Sequence, residues 1–388
     1  MGRRGFLKGL GTGIVGVLAG CAGNTEFNRG DTGQITESTH TAGETAVPST
    51  PAGTDEPSDT VEETTDDSEG LRHLHGITGR THPKEPERYY GRRYEWEALG
   101  GEWWYEVEIP RALGDYYEER YGRGHNYDRY ASDPYGRPHI DLLADELDRI
   151  GREKRLSGRQ IVDLSVAFVQ GLRYTEDRVT AGFDQSTSYP VETLIDRGGD
   201  CEDSTILLAA VLRRLGYDCV LLGFFDAEPV HMALGVKGDD SISGTYYEHD
   251  GARYYYVETT GEGWQIGDMP DLGGSTAAET IAIEPSPTLV YRYETSVEES
   301  GEVIVDVSVW NYGRTVARTP TFHAEFEAET GTAYARTETE LDSLGHKDGT
   351  DTRLRLEPPG DRTLRLNTSV FHRNEIHDTD RSEWRRPV

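Results

Sequence analysis

The sequence predicts an α+β core followed by an antiparallel β-sandwich, and three observations carry that reading. Ile161, Leu164, Ser165, Phe168, Val169 and Leu172, and later Leu208, Val211, Leu212 and Leu215, recur three and four residues apart, the spacing of helices with a buried face. Three apolar runs, Val220 to Phe225, His231 to Val236 and Tyr254 to Thr260, then read as buried strands. Beyond them the period changes to two: Val303, Val305, Val307 and Val309, then Phe322, Ala324 and Phe326, Leu354 and Leu356, and Leu364, Leu366 and Thr368.

Charge bounds the function. The chain has 388 residues, with 40 basic against 70 acidic side chains and a net charge of −30. Affinity for nucleic acid comes from neutralising phosphates with Lys and Arg, so this balance excludes a nucleic-acid partner. Only Lys8, Lys84, Lys154, Lys237 and Lys347 are lysines. An acid-rich, lysine-poor composition is that of a salt-adapted protein, in which high salt screens the self-repulsion.

Taken in order, residues 1–21 read as an export signal. Arg3-Arg4-Gly5-Phe6-Leu7-Lys8 is a twin-arginine start, and the apolar stretch from Gly9 to Gly20 is too short to cross a bilayer core of ~30 Å as a helix. Leu18-Ala19-Gly20-Cys21 resembles a lipobox, so Cys21 is the expected lipid-attachment residue. The expected location is the extracellular face of the cell membrane, reached by a lipid anchor. Residues 22–70 carry twelve acidic residues against Arg29 alone, with Pro48, Pro51 and Pro57 among many Thr and Ser. No core can form from that composition, and the segment reads as an extended, disordered acidic tether.

Residues 71–156 read as an aromatic-rich subdomain. Tyr89, Tyr90, Tyr94, Trp96, Trp103, Trp104 and Tyr105 precede Ile109-Pro110, Trp103 to Ile109 alternates as a strand, and Ile140, Leu143, Ala144 and Leu147 mark a helix. Such aromatics either pack a small core or stack on sugars or peptides; both readings stay open. His73, His75 and His82 come without a cysteine or paired carboxylates, so neither a metal nor a cofactor is expected.

Residues 157–270 carry the chemistry. Ser157 and Gln160 form a capping box at the start of the first helix. A loop from Arg173 to Asp200 then leads through Gly198-Gly199 to Cys201, placed at the N-terminus of the second helix, with Gly216 as its stop. Unpaired N–H groups and the positive end of the helix dipole favour thiolate there, while Asp200, Glu202 and Asp203 oppose it unless they point elsewhere. His231, opening one strand, and Glu258, closing the next, are expected side by side and facing the helix that carries Cys201. Cys201 and Cys219 sit at opposite ends of that helix, about 20 Å apart, too far for a disulfide.

Gly199-Asp200-Cys201-Glu202-Asp203, the apolar helix, Arg213-Arg214-Leu215-Gly216-Tyr217, His231 and the acidic residue ending the following strand resemble the transglutaminase-like cysteine protease superfamily. The match is to its bacterial and archaeal branch with a Gly-Asp-Cys-Glu-Asp motif, over about Ser157 to Trp264. The resemblance implies a papain/transglutaminase-like α+β core in which Cys201 is the nucleophile, His231 the base and Glu258 the group that orients the imidazole. The family usually has Asp followed by Pro-Thr where this chain has Glu258-Thr259-Thr260, and often a Trp where Met232-Ala233 follows the His. Whether Gln170 or Tyr174 supplies an oxyanion donor beside the Cys201 backbone N–H is left open by the sequence.

Residues 285–388 form the sandwich, with turns at Asn311-Tyr312-Gly313, Glu329-Thr330-Gly331 and Pro358-Pro359-Gly360. Val309-Trp310-Asn311-Tyr312-Gly313 and Leu341-x-x-Leu344-Gly345 resemble archaeal surface adhesion modules of immunoglobulin-like fold. Asn367-Thr368-Ser369 is a glycosylation sequon. Two functional classes follow. One is an acyltransferase acting on amide bonds of a protein or peptide substrate, as peptidase, amidase or crosslinking enzyme. The other is a catalytically inactive cell-surface binding or adhesion module.

Overall fold

The computed structural model describes residues 70–81, 83–119, 127–175, 187–273 and 276–387. Arg3, Arg4, Cys21, the tether up to residue 69 and His82 lie outside them.

A short 3-10 turn at Arg72–Leu74 leads into β1 (Thr78–Arg80). A long hairpin follows, β2 (Tyr89–Ala98) and β3 (Gly101–Pro110), turned at Leu99-Gly100, both at positive φ. Helices α1 (Arg111–Glu118), α2 (Tyr127–Ala131), α3 (Arg137–Lys154) and α4 (Gly158–Gln170) come next. The expected capping box opens α4: the Gln160 N–H donates to Ser157 Oγ at 3.3 Å and the Ser157 N–H to Gln160 Oε1 at 2.9 Å.

Of the expected loop from Arg173 to Asp200, the described residues 173–175 and 187–200 carry regular structure. They contain β4 (Arg173–Tyr174), α5 (Pro190–Asp196) and β5 (Gly198–Gly199). Seven residues of helix are too few for a periodicity to register, yet Pro190 pre-forms the first turn and Glu192 accepts the Tyr189 N–H at 2.8 Å. Then come α6 (Cys201–Arg214), β6 (Cys219–Phe224), β7 (His231–Gly238), β8 (Tyr246–His249), β9 (Ala252–Val257) and β10 (Glu279–Ala282). The five strands form one antiparallel sheet in the order β10-β6-β7-β9-β8. Its edges, β8 and β10, lack an apolar run because they are half-exposed, which is why the sequence does not announce them.

The sheet pleat separates two cores. Cys219, Leu221, Met232, Leu234, Val236, Tyr255 and Val257 join the main core with α3, α4, α6 and the aromatics of the β2–β3 hairpin. Tyr94, Trp96 and Tyr105 are buried here, so these aromatics serve as packing. Val220, Leu222, Phe224, Ala233, Tyr254 and Tyr256 make a smaller core on the opposite face. Helix α6 is buried at every position from Asp203 to Leu212 rather than along one stripe. The sheet covers one side and α3, α4 and α5 the others.

The remaining strands are β11 (Leu289–Val297), β12 (Val303–Asn311), β13 (Thr321–Ala328), β14 (Ala333–Glu340), β15 (Gly349–Leu356), β16 (Leu364–His372) and β17 (Glu375–Arg381). They form two four-stranded antiparallel sheets, β1-β11-β12-β15 and β14-β13-β16-β17, over one shared core. Tyr291 spans it: its ring stands edge-on to Phe322 at 4.9 Å, and its hydroxyl donates to the Thr368 carbonyl at 2.9 Å. Leu71, Leu74 and Ile77 belong to this core, so the first described residues pack with the last. Among the described residues, no helix is long and apolar enough to cross a membrane.

Candidate active site

Cys201 is the first residue of α6, and the two glycines before it are there for lack of room. A Cβ on Gly198 would lie 2.2 Å from the Arg173 carbonyl oxygen, and one on Gly199 would lie 2.5 Å from Asp203 Cβ. Strand β5 runs parallel to β4, with Gly198 opposite Arg173 and Gly199 opposite Tyr174. That close approach delivers the chain to the start of α6.

The three acidic residues around the thiol each have structural partners. Asp200 caps α6, its Oδ1 accepting the Glu202 and Asp203 N–H groups at 2.9 and 3.1 Å. Asp203 accepts the Ser188 N–H at 2.7 Å and, more loosely, the Asp200 N–H at 3.4 Å. Glu202 Oε1 accepts the Thr187 hydroxyl at 2.9 Å. Burial, then the Asp200 charge, push the Asp203 carboxyl above the usual carboxylate range. Cys219, by contrast, is sealed in the core, where burial pushes its thiol up to about 12, and neither cysteine is in a disulfide.

His231 and Glu258 are brought together. His231 Nε2 lies 3.1 Å from Glu258 Oε2, with His231 8% exposed and Glu258 2%. The Tyr256 hydroxyl donates to the same Oε2 at 2.7 Å and stands 3.4 Å from Nε2. The other carboxylate oxygen, Oε1, accepts the Thr259 N–H, the Thr260 N–H and the Thr260 hydroxyl at 3.0, 2.9 and 2.7 Å. Burial alone would raise Glu258, but the hydrogen bond and charge of His231, then the Tyr256 and Thr260 hydroxyls, hold it down at about 2. The carboxylate is therefore ionised, and it is aimed at one ring nitrogen. Thr259-Thr260 supplies three of its five donors, which gives the departure from Pro-Thr a physical role.

One expectation is corrected. The pair was expected on the face that packs against α6, but Met232 is the β7 residue that enters the main core, and pleat alternation sends His231 to the other side, opposite Phe224. The two rings are 6.2 Å apart. Cys201 thus borders the main core, whereas His231 stands opposite Phe224 of the smaller core on the other face. Cys201 borders the main core, and a thiolate there adds its charge to the burial and Glu258 charge that hold the Tyr256 hydroxyl un-ionised.

Gln170 is spent elsewhere. It is buried, and its Nε2 donates to the carbonyls of Glu258 at 2.9 Å and Trp264 at 3.2 Å, so both amide hydrogens are engaged and it is a buttress of the Glu258 backbone rather than an oxyanion donor. Tyr174 is half-buried on β4. Asn367 lies in β16, between β13 and β17, half-buried with its amide donating to Glu327 at 2.9 Å. The roles of Tyr256 and of Thr205, the latter described below, went unnoticed in the sequence; the even alternation of Tyr254, Tyr256 and Glu258 was the available signal for the first.

No family model and no curated protein matches the chain. Among solved structures it is weakly similar to the transglutaminase of red sea bream, at 11% identity and a TM-score of 0.26, over 84% of this chain and 64% of that one. It is also similar to a β-glucuronidase of glycoside hydrolase family 2, at 9% identity and a TM-score of 0.20, over 24% of this chain and 10% of that one. A β-glucosidase from Streptomyces venezuelae, in complex with D-glucose, matches at 11% identity and a TM-score of 0.19, over 25% of this chain and 15% of that one. At these values no likeness assigns an activity. The site has to be argued from its own atoms.

Proposed function

We propose that the protein is an exported, lipid-anchored acyltransferase of the transglutaminase-like type, acting on amide bonds of a protein or peptide at the cell surface. The observation that supports it most is the buried His231–Glu258 pair at 3.1 Å, in a chain that also sets Cys201 at a helix N-terminus. In the proposed reaction His231 takes the Cys201 proton and the thiolate adds to the amide carbonyl carbon. As the C–N bond breaks, the imidazolium returns the proton to the leaving amine, and a thioester remains. Water or an amine then attacks the thioester, giving its proton to His231, which passes it back to sulfur. Ionised Glu258 holds the imidazole in one orientation and stabilises its charged form.

Twin arginines, Cys21 and the acidic tether support export and anchoring of the two-part body, and the C-terminal sheets fit an immunoglobulin-like module. Cys21→Ser is expected to release the exported protein from membranes on fractionation; retention would sink the anchor. The catalytic reading is tested by iodoacetamide at the salt concentration that keeps the chain folded. Cys201 should alkylate much faster than Cys219, and C201A or H231A should remove any amide-cleaving or crosslinking activity. Equally slow labelling of both cysteines would replace the enzyme by the inactive surface-binding module.

A further inference from the structure

We infer that Thr205 is a positioning residue whose buried hydroxyl fixes α6 against the strand ends carrying His231 and Glu258, and so sets where Cys201 meets the imidazole. This rests on the catalytic reading proposed above. Thr205 lies four residues beyond Cys201, about 6 Å of helix rise and on the same helix face. A Ser or Thr hydroxyl inside a helix commonly turns back to the carbonyl four residues earlier, as Ser165 does on α4, donating to Ile161 at 2.8 Å. Thr205 instead reaches out of its helix. Its Oγ1 is 3.3 Å from the Met232 carbonyl oxygen and 2.9 Å from Thr259 Oγ1.

A hydroxyl has one proton, so the arrangement consistent with both contacts has Thr259 donating to Thr205 and Thr205 donating to Met232. Met232 follows His231, and Thr259 follows Glu258, whose Oε1 its N–H also holds. Both threonines are sealed from water, at 0% and 1% exposure, so neither bond has a solvent substitute. The two-bond chain therefore ties together the three segments that carry Cys201, His231 and Glu258. The tie matters because Cys201 and His231 lie on opposite sides of the sheet, and no strand register relates them.

The test is the pH profile of Cys201 alkylation by iodoacetamide, read on the peptide, with Cys219 as the internal measure of folding. In the parent protein a Cys201–His231 ion pair gives a reactive limb below the ordinary thiol range of ~8.5. T205V keeps the shape and removes the hydroxyl; it is expected to lower the rate at about pH 6 on the order of tenfold and move the profile toward an ordinary thiol. T205S restores the parent profile. Cys219 stays protected in each folded variant. Should T205V expose Cys219, T259V, which removes only the donor half of the chain, is expected to move the profile in the same direction. An unchanged profile in folded T205V, or in T259V where T205V unfolds, overturns the inference while leaving the Cys–His reading standing. A parent protein with no low-pH limb overturns both.

Discussion

At the scale of single residues, Glu258 concentrates the electrostatics of the site. Its five hydrogen bonds and its burial make it acceptor-only, and Gln at this position would aim an NH2 group at donors already in place. Glu258→Gln is expected to cost on the order of 3 kcal/mol of stability, as for removing one partner of a buried pair. Activity should fall on the order of a hundredfold, less than on loss of Cys201, because Phe224 and Tyr256 still pack about the imidazole. The pH dependence has a definite sign. A carboxyl held at about 2 in the fold stabilises it above the unfolded value of ~4.3 and loses that contribution as pH falls toward 2. Urea midpoints of parent and E258Q should therefore converge in that acid window. A gap that stays constant from neutral pH to about pH 2 would mean that Glu258 contributes packing rather than charge.

At the scale of elements, the approach of β5 to β4 decides whether Cys201 reaches its place. The Arg173 carbonyl 2.2 Å from a Cβ on Gly198 is backbone and cannot rotate away, so Gly198→Ala must push the two strands apart. Thermal unfolding of G198A is expected to show a loss of at least about 2 kcal/mol, with slower Cys201 alkylation as α6 shifts. A stability and reactivity equal to the parent's would show that the strand pair does not position the helix. The glycine pair, the start of α6 at Cys201 and the capping box at Ser157 were legible in the sequence because they are local: each depends on residues within a few positions. Strands β6, β7 and β9 were legible as apolar runs. Which side of the sheet His231 occupies was not, because parity along β7 depends on which residue enters the main core, a fact of tertiary packing. The role of Gln170 was not legible for the same reason: its partners, Glu258 and Trp264, are some ninety residues away. The half-exposed edges β8, β10 and β14 carry too little apolar pattern to be found by periodicity.

At the scale of the whole molecule, two bodies are joined and both carry dense surface charge. Arg129 on α2 donates to the carbonyls of Ile376 and His377 on β17, and Tyr135 stands 5.9 Å from Tyr312 across the same junction. Over this surface two electrostatic effects compete as salt is removed. Exposed pairs such as Arg353–Asp306, Arg355–Glu298, Arg214–Asp141 and Lys237–Asp218 gain strength, but solvent screening keeps each of them weak. The net charge of −30 works the other way, because removing salt lengthens the reach of every unpaired carboxylate from ~3 Å at 1 M to ~10 Å at 0.1 M. Paired charges are already neutralised locally and act over one contact, whereas the excess acts between all its members at once, and compaction brings those members together. Repulsion is therefore expected to win. The melting temperature should fall steadily as NaCl is diluted from molar to ~0.1 M, with an uncharged osmolyte at equal osmolality failing to restore it. A melting temperature that rises on dilution would mean that the ion pairs dominate, and the salt-adapted reading of the composition would be abandoned.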